Sequence, residues 1–202
     1  MKAARDQGVI GRALMMHNFH RNVETPASDF TGAMAITNSA PHELDVARFV
    51  LDTDYHSITA FQPRRSDALV APVVMVLETV GDQLVTIEIN NNASYGYDVR
   101  GELVGETGSV SLQSPVHSRL DAGLKNIGRY DADWRGRFAE AYRRQNAAFL
   151  DFIRTGDFPA VASDSWDGYA AAAIAEAGVR ALAEGRKIDL QMPEQPVLYR
   201  RS

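Results

Sequence analysis

In the stretch TNSAPHELDVARFVL, Thr37 to Leu51, a histidine follows Asn-Ser-Ala-Pro and is itself followed by two acids. If a helix begins at the proline, His42 lies in its first turn and meets the positive end of the helix dipole, which favours a neutral, proton-accepting ring. The chemistry open to such a residue is general base catalysis near neutral pH. Glu43 and Asp45 suit the first turn electrostatically and are expected to do no more than that. Further polar groups of interest are His20 and Asn22 in HRN, and Tyr95 and Tyr97 in YGYD. Each candidate has an ordinary structural use: His42 as a helix histidine, Asn38 as a cap, His20 as a surface histidine closing a strand, and the tyrosines as sheet aromatics. Neither His17 with His20 nor His42 with Glu43 and Asp45 has a spacing that demands a metal, so no metal site is expected.

Other chemistries have no visible carrier. The chain has no GxGxxG after a strand, no Walker loop, no HExxH and no EF-hand loop, so no means of cradling a dinucleotide is expected within it.

The elements that must position these residues follow from local patterning. MKAARDQG reads as a short helix stopped by Gly8, and RALMMHNFHRN as an extended run. VETPASDFTG reads as a loop, and Asn38 or Ser39 as the N-cap of a helix from about Pro41 to Leu51. The runs HSITAFQPR, LVAPVVMVLETV, QLVTIEINNNA, YDVRGELVG and SVSLQS are rich in β-branched residues. Gly81-Asp82 and Glu106-Thr107-Gly108 mark tight turns between them, so the pairing is expected to be mostly antiparallel. Val73, Met75 and Leu77 fall on one face of their strand and Val74 and Val76 on the other. Helices can cover one face, and a second subunit is the natural cover for the other.

Two amphipathic helices are expected to close the chain. One carries Phe138, Tyr142, Ala148, Phe149, Phe152 and Ile153 along a core stripe and stops at Gly156. The other is capped near Ser163 or Ser165 and stops at Gly185.

At 202 residues and 45% hydrophobic content, the chain can bury roughly 70% of its unfolded surface in one core. A single α+β domain spanning 1–202 is expected, with an open, mostly antiparallel sheet and helices packed on one face. A net charge of -5 and scattered basic residues argue against nucleic acid. The basic group Arg135 to Arg144 reads as a solvated helix face. Cysteine is absent, and no signal peptide or bilayer-length apolar run is seen, so a cytoplasmic location without membrane attachment is expected.

In HRN, MAITNSAPHELDVARFVL, YGYDVRGELVGETGSVSL and SWDGYAAAAIAEA, the chain resembles the Gfo/Idh/MocA oxidoreductases, and among them the inositol 2-dehydrogenases. The likeness runs over nearly the whole chain in order and spacing. It implies the family's C-terminal α+β domain, which binds substrate and makes oligomer contacts, without the N-terminal Rossmann domain that binds NAD or NADP. The resemblance also implies roles. His42 matches the histidine that takes the hydroxyl proton, and Asn38 stands where the family's Asp-x-x-x-His dyad usually has Asp. An amide can orient the ring but cannot stabilise an imidazolium by charge. Polyol contacts map to His20, Asn22, Ser39, Tyr95 and Tyr97, short or neutral groups that donate to and accept from ring hydroxyls.

Two functions are therefore expected as alternatives. The first is the substrate-binding and oligomerisation half of an NAD(P)-dependent polyol or sugar dehydrogenase, inactive alone and without cofactor. The second is a non-catalytic assembly or sugar-binding module derived from such an enzyme. Either is expected to bind a polyol or sugar and to form a homodimer or tetramer through the sheet face.

Overall fold

Strand β1 (Ala13–Arg21) lies near the middle of a seven-stranded sheet and carries residues of the pocket described below. The computed structural model describes residues 1–23, 27–64, 70, 72–113 and 119–200. A short helix, α1 (Lys2–Asp6), precedes β1, and Gly8 and Gly11 turn the chain between them at φ of 68° and 70°. Two helices follow, α2 (Gly32–Asn38) and α3 (Ala40–Leu51), and then strands β2 (Tyr55–Phe61), β3 (Val73–Thr79), β4 (Leu84–Asn90), β5 (Asp98–Gly105) and β6 (Ser109–Ser111). A separate hairpin, β7 (Arg119–Ala122) with β8 (Lys125–Gly128), leads into α4 (Trp134–Thr155), α5 (Ser165–Glu184) and β9 (Ile188–Asp189). Residues 24–26 of the expected loop, and Leu69, Ala71 and Ser114 of the expected strand runs, lie outside the described residues.

The sheet order is β6-β5-β1-β4-β3-β2-β9. Its pairs are antiparallel except β1 with β4, which run parallel because α2 and α3 carry the chain over one face before β2 begins. The expected α+β sheet is thus observed, with one parallel pair that hairpin signals alone do not reveal. The turns at Gly81-Asp82 and Glu106–Gly108 join β3 to β4 and β5 to β6.

Period-two alternation sorts the strand residues between the two faces. Met16, Ile58, Val73, Met75, Leu77, Val85, Ile87, Ile89 and Leu103 are all at most 1% exposed and pack under the helices. Helix α3 contributes Ala40, Leu44, Ala47, Val50 and Leu51 to that core. Helix α5 contributes Ile174 together with Ala170, Ala171, Ala175, Ala177, Gly178 and Ala181, small residues that let it lie close to the sheet. The opposite face carries Phe61 and Val74 in register, and Phe19 further along the same row. Phe61 and Val74 are exposed, so nothing among the described residues covers that face at those positions.

Several expectations need correction. Asn38 is not a cap: it ends α2, a helix whose N-cap is Thr31, with Oγ1 accepting from the Met34 amide at 3.2 Å. Ser39 is at the N-cap position of α3 but makes no side-chain cap bond, so Pro41 and the α2–α3 junction start that helix instead. The cap of α5 falls at the expected place, near Ser163 and Ser165, but the capping residue is Asp164 between them, which accepts from the amides of Trp166 and Asp167 in a reciprocal capping box. The expected core stripe of α4 is not buried; Tyr142, Phe149 and Ile153 are largely exposed. Helical spacing makes one face apolar without saying what covers it. The β7–β8 hairpin was not expected from the sequence; its turn is Gly123-Leu124, at φ of 57° and 61°.

Candidate functional site

Alternation along β1 points Asn18 and His20 toward the helices, and Asn22 follows at the same spacing just past the strand end. The Asn22 amide donates to the Asn90 carbonyl at 2.7 Å, which holds the chain there against the end of β4. Across from them, the α2–α3 junction presents Asn38 and Ser39, and the first turn of α3 presents His42 and Glu43. Tyr97 comes from the loop before β5. Its amide donates to the Asp131 carbonyl at 2.9 Å, and Gly96, at φ 146°, leaves room for Tyr130, whose Cβ would lie 2.2 Å from any Cβ at that position.

Together these residues line one cavity of about 620 Å³, walled on its far side by Trp134, Phe138, Tyr142 and Gln145 of α4. Such a volume suits a small molecule, for which pockets of roughly 300–1,000 Å³ are usual. The ring of Phe138 meets that of Tyr97 edge-on at 6.2 Å, and Arg137 Nη2 donates to the Val99 carbonyl at 2.8 Å; these contacts seat the start of α4 on the pocket.

Polar atoms inside the cavity are arranged unevenly. His20 and Glu43 are both buried, and the His20 Nδ1 lies 3.0 Å from Glu43 Oε1. The Tyr97 ring stands edge-on to His20 at 5.8 Å, and the rings of His20 and His42 are 6.5 Å apart. Burial, with the nearby Glu43 carboxylate adding to it, pushes the Tyr97 phenol up to about 12, so its hydroxyl remains a donor at neutral pH. Of the buried polar atoms lining it, Asn18 Nδ2 and Glu43 Oε2 have no hydrogen-bond partner among the described residues.

Of the sequence-derived candidates, His20, Asn22, Asn38, Ser39, His42 and Tyr97 line this one cavity. Tyr95 is not among them: its hydroxyl donates to Asp98 Oδ2 at 2.9 Å and accepts from Arg21 Nη1 at 3.0 Å. Asn38 and His42 are not hydrogen-bonded to each other; the Asn38 amide oxygen instead accepts from Thr37 Oγ1 at 3.4 Å. The break between α2 and α3 sets the two residues on different helices, so single-helix i,i+4 geometry does not apply to them.

Glu43 and Asp45 do more than complement a helix dipole. Glu43 pairs with His20. Asp45 Oδ2 accepts from Ser163 Oγ at 2.6 Å and its Oδ1 lies 3.8 Å from Arg48, which also pairs with Asp54 at 2.7 Å and Asp167 at 3.3 Å. These contacts fill the wall of a second cavity, about 320 Å³, and tie α3 to α5. Sequence reasoning also missed Asn18, although it sits two residues before His20 and so must share its face. Among the described residues, no group of three or more His, Cys, Asp or Glu is placed to hold a metal ion. Likewise no described helix is long and apolar enough to cross a membrane.

The GFO/IDH/MocA C-terminal domain model matches residues 1–111. Inositol 2-dehydrogenase 1 of Saccharopolyspora erythraea is 41% identical over 98% of this chain and 59% of its own length. Inositol 2-dehydrogenase 2 of the same organism is 43% identical over 98% and 59%. Myo-inositol dehydrogenase from Lactobacillus casei, solved in complex with NAD(H) and myo-inositol, superposes with a TM-score of 0.88 at 30% identity, over 98% of this chain and 60% of that one. The chain thus spans about three fifths of the length of the relatives it matches. With a sheet and helices of that type and a family match over more than half its residues, the chain belongs to the GFO/IDH/MocA family, through the family's C-terminal domain.

Proposed function

We propose that this chain is the substrate-binding and oligomerisation half of an NAD(P)-dependent dehydrogenase that oxidises a ring hydroxyl of an inositol-like polyol to a ketone, acting in the cytoplasm. The observation that carries the reading is the cavity that gathers His20, Asn22, Asn38, Ser39, His42 and Tyr97. A polyol presents a hydroxyl at nearly every ring carbon, each needing a donor or an acceptor, and amides, imidazoles and a phenol supply both. Removing the C–H hydride requires that the hydroxyl proton leave as well. His42, exposed at the cavity mouth, takes that proton in this reading.

The described residues do not fit a dinucleotide. None of their strand-to-helix connections is a glycine-rich turn that would bring amides to a pyrophosphate. In this reading the hydride acceptor is held by residues other than these. The uncovered sheet face around Phe61 and Val74 takes a second copy of the chain.

A non-catalytic polyol-binding or assembly module is the second reading, favoured by a neutral Asn38 whose amide oxygen bonds to Thr37 rather than to His42. Calorimetric titration tests the proposal directly. The chain is expected to bind myo-inositol saturably and to show no saturable NADH binding in the micromolar range. Absence of polyol binding overturns the substrate assignment, and tight NADH binding overturns the division of labour. Turnover on joining the chain to a relative's cofactor domain separates enzyme from module.

A further inference from the structure

The pocket contains a buried carboxylate that proton abstraction by His42 does not use. Glu43 lies on the core stripe of α3, beside Ala40, Leu44 and Ala47, at 7% exposure. Its Oε1 meets the His20 Nδ1, and its Oε2 has no hydrogen-bond partner among the described residues. Burying a carboxylate with one oxygen unsatisfied is costly, and an apolar residue would serve the core better. The single contact that the carboxylate does make goes to a ring lining the cavity.

We propose that Glu43 is a positioning residue: it fixes His20 as the Nδ1–H tautomer, leaving Nε2 as the ring's acceptor for a ligand hydroxyl. A carboxylate only accepts hydrogen bonds, so the ring nitrogen facing it must carry the hydrogen, and a neutral imidazole then has its other nitrogen bare. Tyr97, edge-on to the same ring, restricts its rotation. The pocket gains an acceptor of fixed direction among groups such as the Tyr97 hydroxyl that donate. His42 lies close enough, at 6.5 Å between ring centroids, for neighbouring hydroxyls of one polyol to reach both rings. The ligand part of this inference rests on the polyol reading; the tautomer does not.

Nitrogen-15 NMR of the histidine rings in the full chain provides the test. Without ligand at neutral pH, His20 is expected as a single Nδ1–H tautomer, and on adding myo-inositol its Nε2 signal should shift. Glu43→Gln, whose amide offers both a donor and an acceptor, should populate both tautomers and weaken myo-inositol binding about tenfold, the scale of one charge-assisted hydrogen bond. Glu43→Asp, which keeps the charge but retracts it by one methylene, should loosen the tautomer in the same way and serves if the Gln variant does not fold. A wild-type His20 protonated at Nε2, or variants that keep both the tautomer and the affinity, overturns the proposal. If myo-inositol moves no signal, the polyol reading fails, and the ligand-free tautomer comparison still decides the role of Glu43.

Discussion

His42 and Asn38 face the same cavity without touching, and that gap sets what each can contribute. An amide at position 38 cannot stabilise an imidazolium by charge, whereas a carboxylate that reaches the ring does so by ~1 to 3 kcal/mol. In a chain joined to a relative's cofactor domain, Asn38→Asp is expected to raise kcat/KM for polyol oxidation by roughly five- to a hundredfold, and His42→Ala to abolish turnover in either background. Steady-state kinetics with both variants checks this; if neither changes the rate, His42 is not the base. Tyr97 gives a prediction of the opposite kind, about stability. Its phenol titrates near 12 in the folded chain rather than at the ordinary 10, so between those values the folded state holds a proton that the unfolded state has lost. The stabilisation is complete below pH 10 and disappears as the pH rises to about 12. Urea denaturation across that window should show stability falling less steeply for Tyr97→Phe than for wild type.

At the scale of elements, the cap and packing of α5 decide how firmly the helix layer sits on the sheet. Asp164 satisfies two first-turn amides, and Asp167 Oδ2 accepts from the Asp164 amide at 3.0 Å. Asp164→Ala should therefore cost about 1 kcal/mol in denaturant unfolding. Further along the same helix, a Cβ at Gly178 would lie 3.2 Å from Ile58 Cδ1 and 3.3 Å from Ile36 Cγ2. Gly178→Val adds an isopropyl group where there is no room, and a loss of about 1 to 3 kcal/mol is expected despite the better helix propensity. A neutral or stabilising result would show that the sheet and α2 can yield at that contact. Glu43 belongs to this scale too: its spacing with Ala40, Leu44 and Ala47 puts it on the buried stripe, a signal readable in the sequence once the helix is placed.

At the scale of the molecule, apolar side chains are left exposed among the described residues on the sheet face, with Phe61 and Val74, and on the outer part of α4, with Phe149, Leu150 and Ile153. Exposed apolar area on this scale marks association surfaces. Light scattering at low micromolar concentration should show a dimer or tetramer, and Val74→Lys should shift it toward monomer by placing a charge at the centre of the sheet contact. A monomeric wild type would mean that the face is covered in some other way.

Local periodicity determined much of this. The alternation of β1 and β3, the stops at Gly156 and Gly185, and the histidine in the first turn of α3 all follow from short-range sterics and hydrogen bonding, which the sequence encodes residue by residue. The positions of His20, Asn22, Ser39, His42 and Tyr97 were likewise legible, because the motifs that contain them keep their order along the chain. What only the tertiary structure decided is how distant segments meet. Helix α2, short and opening on glycine, separates Asn38 from the helix of His42; the crossover through α2 and α3 makes β1 and β4 parallel; and the fold of α3 onto the end of β1 brings Glu43 to His20, 23 residues away in sequence. Each of these depends on which surfaces pack together, and packing between remote segments leaves no periodic mark in either one.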